Sequence, residues 1–508
     1  MERSKRTRLT DRPKLSLRAE SSASKKPAGA PRGAGKKAGK KRTYAHGAVG
    51  PAADKRPAGR GASIASSSKP HRGPSKNAKR PSAVNSRKVC FDILVAIADG
   101  AQLDAALHGN TDLTRLEDRD RRFVRLLVTT CLRRRGQLEK TIAPLVERRP
   151  FGELEHANTI LIMGAAQLLV LKTDAHAAVN STVDLMRQAG FDRLTGLANA
   201  VMRRLTREGE SRFATTNPVD NLPDWLKDSW QTHYGKPATA AMADLAMQIP
   251  TLDITPKTDP DRWAKTLEGS LINAATVRRD FDGDITRLDG FAEGEWWVQD
   301  AAAALAARLF GDITGKSVID LCAAPGGKTA QLIAAGAKVT AVDSARKRID
   351  RLRRNLKRLN LTADIKLDDG RSFAPDGPVD HVLVDAPCSS TGTYRRRPDI
   401  FGRRTTEDIQ EMQAIQWELL TVALGWLKPG GTLVYATCSL QPEEGEDIIS
   451  AVLDAAEGRY VIDPVTGDQA GDFARSITHE GTLRILPSDY ADIGGVDGFY
   501  IARLKSVS

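Results

Sequence analysis

No run of eighteen apolar residues occurs anywhere in the 508-residue chain, so it carries no candidate membrane-spanning helix. The charged N-terminus is not followed by the apolar core that a secretory signal needs. Cysteine is scarce: Cys90, Cys131, Cys322, Cys388 and Cys438, an odd number without a Cys-x-x-Cys pair. That argues against a zinc cluster or a disulfide framework; no metal site is expected, and reduced, cytoplasmic surroundings fit better.

What is present is unevenly distributed. The formal net charge is +13, yet residues 1–80 hold 23 Lys and Arg against 4 Asp and Glu, and the remainder is net acidic. A basic tail of this kind attracts polyanions without reading sequence, although the plainer reading is a solvated leader. Residues 1–84 have almost no large apolar side chains to offset the entropy of ordering and are expected to be a disordered basic leader.

The length leaves room for three to four domains, and 41% hydrophobic residues supply cores for them. Residues 85–208 read as a helix bundle, with apolar residues at helical spacing in Phe91/Leu94/Ile97/Ala98, Phe123/Leu126/Leu127/Thr130 and Ile160/Met163/Leu168. Residues 209–300 read as a small α+β connector, with a helix start at Pro223-Asp-Trp-Leu226 and an alternating run at Thr251–Thr255. Residues 301–508 alternate strand and helix signals, with strands at Val318–Leu321, Val339–Asp343, Ile365–Asp368, His381–Asp385 and Thr432–Ala436. The βαβ order predicts a parallel, doubly wound α/β sheet with ligands at the carboxyl ends of its strands.

Chemistry collects at those ends. Cys322-Ala-Ala-Pro-Gly-Gly-Lys328 follows the first strand, and Asp343 ends the second, where a carboxylate binds a ribose hydroxyl pair. The loop is neither G-x-G-x-x-G nor a Walker sequence, which favours a nucleoside ligand over a dinucleotide or ATP; a mere tight turn is the bland alternative. Asp385-Ala-Pro-Cys388 and Tyr435-Ala-Thr-Cys438 end adjacent strands, so each delivers a thiol to the ligand-bearing edge. Cys90 and Cys131, inside helical patterns, read as small buried hydrophobes. Carbon 5 of a cytosine is a weak nucleophile, and thiolate addition at carbon 6 activates it; Asp385 is placed to stabilise the adduct at N3. The residues alone do not say which cysteine attacks.

The stretches Asp320–Thr329, Asp385–Ser389, Tyr435–Ser439 and Arg395-Arg-Arg-Pro-Asp-Ile400 resemble the RNA 5-methylcytosine methyltransferases over about residues 220–508. The resemblance implies a Rossmann-like domain in which Cys322, Ala323, Ala324, Pro325, Gly326, Gly327, Lys328, Asp343, Asp369 and Asp385 surround S-adenosylmethionine. Asp369 enters because Asp368-Asp-Gly-Arg371 resembles the family's Gly-Asp-Gly-Arg; Asp368 in place of glycine adds a nearby charge. The resemblance also orders the thiols: Cys438 attacks and Cys388 aids product release. Arg395 and Arg396 would contact RNA phosphates, against the bland reading of a solvated loop.

Ala178–Arg187 and Gly196–Arg204 resemble the antitermination factor family NusB. A NusB-like RNA-binding bundle joined to such a catalytic domain implies a bacterial enzyme acting on 16S ribosomal RNA, with no membrane or DNA partner and a monomeric state expected. The connector carries Leu252-Asp-Ile-Thr255 where relatives carry an Arg-Val-Asn-like stretch, which weakens its expected RNA contact. The rival readings are a transfer RNA 5-methylcytosine methyltransferase and a noncatalytic RNA-binding ribosome assembly factor; an antitermination factor would leave the C-terminal half unexplained.

Overall fold

The computed structural model describes residues 84–146 and 155–507. The basic leader expected over residues 1–84 lies outside them except for its last residue.

The N-terminal half is helical. Its helices are α1 (Ser86–Ala98), α2 (Leu103–Gly109), α3 (Thr111–Arg115), α4 (Asp118–Arg133), α5 (Arg135–Ile142), α6 (Glu155–Ala165), α7 (Ala175–Gln188) and α8 (Thr195–Ala214). Asn85 caps α1 by accepting from the Arg87 amide, and Asp174 caps α7 by accepting from Ala177. The face of α4 is rotated from the one expected. Leu127 and Thr130 of the expected face are buried together with Val124, Val128 and Cys131, whereas Leu126 is 39% exposed. Phe123 is half-buried and packs beneath the Arg87 guanidinium, 5.2 Å from its ring centre. An i, i+3, i+4, i+7 stripe beginning at Val124 fits the helical period better than one beginning at Phe123.

Helix α9 (Asp224–Ala246) begins directly after Pro223 and bends at Gly235, whose φ of +81° lies two residues before Pro237. Proline lacks the amide that would continue the helix and crowds the preceding turn; glycine absorbs the break. The connector sheet follows: β1 (Leu252–Pro256), β2 (Ser270–Ile272), β3 (Thr276–Arg279) and β4 (Trp296–Val298), all antiparallel, in the order β2-β3-β1-β4. Helix α10 (Pro260–Thr266) lies against it, and Ile254, Trp263, Val277 and Trp296 form the small core between them.

The C-terminal part contains α11 (Ala301–Arg308), β5 (Ser317–Leu321), α12 (Gly327–Ala334), β6 (Lys338–Asp343), α13 (Arg346–Arg358), β7 (Asp364–Leu367), β8 (Val379–Asp385), α14 (Ile400–Arg403), α15 (Thr406–Leu424), β9 (Leu427–Thr437), α16 (Glu446–Ala455), β10 (Tyr460–Ile462), β11 (Leu483–Ile485) and β12 (Phe499–Ser506). The sheet runs β10-β12-β9-β8-β5-β6-β7, with β11 also on β12. Alternation along the strands fills both faces. Val382, Val384, Leu433 and Tyr435 pack with α15 and α16, while Leu383, Val434 and Ala436 pack with α11.

The sheet is mixed, which corrects the expectation of an all-parallel one. Strands β5 to β9 pair in parallel, but β12 pairs antiparallel with β9, setting Tyr500 opposite Thr437. Strand β12 needs no helical crossover to reach that place, so the βαβ rhythm did not announce it.

Asp253, in the first strand of the connector sheet, does not face solvent. Its carboxylate accepts two bonds from Arg278, at 2.7 and 2.6 Å, and one from the Ala301 amide at 3.0 Å. Arg278 also donates to the carbonyls of Ile493 and Gly495, so the pair fastens the connector sheet to the loop before β12. Both side chains are 5% exposed. Removing one partner leaves the other charge buried and unpaired. Asp253→Ala is expected to cost about 3–5 kcal/mol in denaturant unfolding; a loss below about 1 kcal/mol would mean that water reaches Arg278.

Candidate active site

The carboxyl ends of β5, β6, β7, β8 and β9 carry the residues that the sequence singled out. After β5 the chain turns at Cys322 (φ +59°) and again at Gly326 (φ +103°) before α12 starts at Gly327. A side chain at Gly326 would meet Leu352 of α13 at 2.4 Å, so the loop can pass this close to the helix only with glycine there. Ala323 donates to the Val342 carbonyl at 3.1 Å, which ties the loop to β6. Beneath it Thr329 donates to Asp320 at 2.6 Å, and burial raises the Asp320 carboxyl to about 7. Burial likewise raises the Cys322 thiol to about 12, so it stays protonated.

Asp343 is 2% exposed at the end of β6. It accepts from the amides of Ala345 at 2.9 Å and Ala324 at 3.3 Å, and pairs with Arg348 at 3.0 Å. Asp369, after β7, is half-buried and held by Arg371, whose Nη2 lies 2.6 Å away. The additional carboxylate at Asp368 accepts from the Asp369 amide at 2.8 Å, so it caps its own turn. Asp385, at the end of β8, pairs with Lys328 at 2.8 Å. The Lys328 side chain is 8% exposed and its ammonium sits 5.2 Å from the Phe499 ring centre. Lys328 therefore reaches across the sheet edge instead of capping α12.

Strands β8 and β9 are neighbours, with Asp385 opposite Ala436. The loops leaving them bring Cys388 Sγ to 3.5 Å from Cys438 Sγ. The thiols are unequal. The hydrogen bond from Cys388 lowers the Cys438 pKa from the ordinary thiol value, against the opposing effect of burial. The same bond, with burial, raises Cys388 well above it. The arrangement is a thiolate-prone sulfur supported by a thiol donor.

Arg395 is placed otherwise than expected. Arg395 is 2% exposed; its guanidinium donates to the Gly494 carbonyl, and its own carbonyl accepts from Arg133 of α4 at 2.9 Å. Arg396 extends to the surface but forms an ion pair with buried Asp497. The arginine loop thus joins the helical half to the catalytic half, and Arg395 is not available to a phosphate. A row of adjacent arginines looks like an RNA contact in a sequence, because buried carbonyl partners distant in the chain leave no local trace.

The 16S rRNA methyltransferase RsmB/F family model matches residues 311–505, and the NusB family model matches residues 84–207. Ribosomal RNA small subunit methyltransferase B of Pseudomonas syringae pv. tomato is 34% identical over 446 residues, covering 84% of this chain and 98% of that protein. The protein of that name from Salmonella typhi is 34% identical over 407 residues, covering 77% and 91%. The chain belongs to the ribosomal RNA small subunit methyltransferase B family. The crystal structure of PH0851 shares the fold, with a TM-score of 0.66 at 22% identity over 82% of this chain and 98% of that one. Members of the RsmB/F family are 16S ribosomal RNA methyltransferases that use S-adenosylmethionine. Among the described residues no helix is long and apolar enough to cross a membrane.

One residue of this RsmB-type site escaped the sequence reading. Glu444 is fully buried, and its carboxylate accepts from the Ser389 amide at 2.8 Å, Gln416 at 3.1 Å, Ser439 Oγ at 2.5 Å and Ser389 Oγ. Ser389 and Ser439 each follow one of the two cysteines. The signal was present as the same Cys-Ser dipeptide at two strand ends, with an acidic pair at Glu443-Glu444 close behind.

Two outcomes are expected. Cys438 should be alkylated by iodoacetamide faster than Cys388 near neutral pH, and Cys388→Ala should move the midpoint of Cys438 labelling upward by removing the donor; peptide mass spectrometry reads both, and an unmoved midpoint would remove the thiol–thiol bond. Glu444→Ala leaves several buried donors unsatisfied, at about 1–3 kcal/mol each; it should lower the melting temperature and depress turnover, with Glu444→Gln intermediate.

Proposed function

We propose that this chain methylates carbon 5 of a cytosine in 16S ribosomal RNA through a covalent adduct with Cys438. The observation that carries the reading is the 3.5 Å approach of Cys388 and Cys438 beside the Lys328–Asp385 pair. Methyl transfer to an exocyclic amine needs no sulfur nucleophile; two thiols at one strand edge fit attack on a pyrimidine ring.

In this reading the Cys322–Lys328 loop, Asp343, Asp369 and Asp385 hold S-adenosylmethionine. The loop's left-handed turns leave backbone open to a ligand, and Asp343 is a buried carboxylate fixed by backbone amides at the next strand end, which suits a ribose. When bound, the cofactor supplies an electrophilic methyl group.

The target cytosine leaves its stack to reach the thiols, which favours a loop or a partly unfolded segment of RNA. The Cys438 thiolate adds to carbon 6, and the displaced electron pair makes carbon 5 nucleophilic. Asp385, steadied by Lys328, stabilises the adduct at N3. Once carbon 5 is methylated, a base removes its remaining proton, the carbon 5–carbon 6 double bond re-forms, and the Cys438–carbon 6 bond breaks. Cys388, protonated and in contact with Cys438, assists that departure.

The deciding assay transfers radiolabelled methyl from S-adenosylmethionine to 16S RNA from cells lacking this protein, followed by nucleoside analysis. Labelled 5-methylcytidine is expected. Cys438→Ala should abolish labelling while retaining cofactor binding, and Cys388→Ala should trap a protein–RNA adduct seen as a retarded band on denaturing gels. Turnover by Cys438→Ala would remove the nucleophile. Label found only on transfer RNA would move the substrate, and no label on either RNA or on small-subunit particles would favour a noncatalytic binding factor.

A further inference from the structure

Helix α13 has a composition that its own stability does not explain. Eight of its thirteen residues are Lys or Arg and one is acidic. Arg346, Lys347 and Arg348 occupy the first turn, where the helix dipole disfavours cations, and no acidic residue stands there to offset them. Lys347 and Arg351, and Arg353 and Lys357, are like-charged pairs at i, i+4, which weakens a helix. Ile349, Leu352, Leu356 and Leu359 face the core, and the cations fan across the outward side. Among the described residues Arg346, Lys347, Arg351, Arg354 and Lys357 form no ion pair; Asp350 is engaged by Arg353 at 3.6 Å and Asp343 by Arg348. Ordinary solvated helix faces mix charges of both signs. The chain beyond residue 80 is net acidic, so this stripe is not one sample of a generally basic surface.

Its position is equally specific. Lys347, Arg351 and Arg354, at i, i+4 and i+7, line an open cleft together with Ala324 and Pro325 of the glycine-rich loop. The far end of the helix joins the connector: Arg358 donates to the carbonyls of Phe291 and Trp296, and Lys257 donates to that of Leu359. The connector itself keeps Asp253 and Arg278 buried against each other. Other exposed cations near the site, Arg371 and Arg396, are engaged by Asp369 and Asp497, whereas Lys347, Arg351 and Arg354 have no acidic partner among the described residues.

We propose that the outward face of α13, centred on Lys347, Arg351 and Arg354, binds the phosphate backbone of the RNA substrate next to the cofactor loop. The inference rests on the RNA methyltransferase reading for its ligand. Phosphate contacts of this kind fix the register of an RNA strand without reading its bases, and they release counterions. The surface extends the site from a pocket for one nucleotide to a platform for the flanking strand, about 10 Å long from Lys347 to Arg354 at 1.5 Å per residue.

The test compares the full chain with the Lys347→Ala/Arg351→Ala/Arg354→Ala variant in direct binding of 16S RNA across 50–300 mM KCl, together with the KM for RNA. Alanine preserves helix propensity. The variant is expected to bind at least tenfold more weakly at the low-salt end. Its slope of log affinity against log salt should be shallower by about 2, three phosphate contacts at about 0.7 each for a single strand. S-adenosylmethionine affinity, measured by calorimetry, should stay within about twofold. The control is Lys316→Ala/Lys338→Ala, which removes two exposed cations at the opposite ends of β5 and β6 and should leave the slope unchanged. An unchanged slope in the triple variant, or an equal loss in the control, overturns the proposal. If the triple variant does not fold, Arg351→Gln/Arg354→Gln is read on the same scale, with an expected change of about 1.4. Binding requires no turnover, so a wild-type chain that binds RNA through α13 but yields no 5-methylcytidine would sink the reaction and spare the surface.

Discussion

The buried Glu444 carboxylate is the constraint on which the thiol pair depends. Parallel pairing of β8 and β9 brings two strand ends side by side, but the loops that leave them could diverge after one residue. Glu444 accepts from both serines that follow the cysteines, so one anionic group fixes two backbones relative to each other. Arg404 adds to this by donating to the Ser389 carbonyl at 3.0 Å, and Arg484 by donating to that of Ser439 at 2.7 Å. Burial disfavours the charged carboxyl, as its upward shift records, and the four donors provide the compensation that makes the position tolerable.

The second structural theme is that the helical half is built into the catalytic half. Asp399 accepts from the Leu103 amide at 3.1 Å, and Arg133 reaches the Arg395 carbonyl. Trp230 and Met242 of α9 pack with Tyr394, Phe401 and Leu440, while Trp230 donates to Gln441 at 3.1 Å and Tyr234 to the Leu440 carbonyl at 2.5 Å. Each catalytic-side residue here belongs to a loop that also carries a cysteine or its supports.

Charge is handled in two ways across this chain. Some buried charged groups are matched by an opposite charge, as in Arg278–Asp253, Asp497–Arg396 and Lys328–Asp385, and others, Glu444 and Arg395, are held by neutral hydrogen-bond partners. On α13 five cations, Arg346, Lys347, Arg351, Arg354 and Lys357, are exposed and without an ion pair among the described residues. The difference is physical: an unpaired buried charge is costly, whereas an unpaired surface cation is merely hydrated and remains available to a polyanion.

The sequence by itself determined the placement of chemistry along the strands. Cys388 and Cys438 are legible because they stand just beyond the ends of β8 and β9, three residues and one residue on, and the Cys322–Lys328 loop is legible because its glycines lie between a strand and a helix. These signals are local, and they survive without a fold. Tertiary structure alone decided what the side chains touch. It shifted the buried face of α4, inserted β12 antiparallel beside β9, and buried Arg395 between the Gly494 carbonyl, to which it donates, and Arg133, which donates to its own carbonyl. It also placed Glu444 beneath both cysteine loops and set Cys388 close enough to donate to Cys438. Each of these depends on distances between segments remote in the chain, and neither periodicity nor spacing encodes such distances.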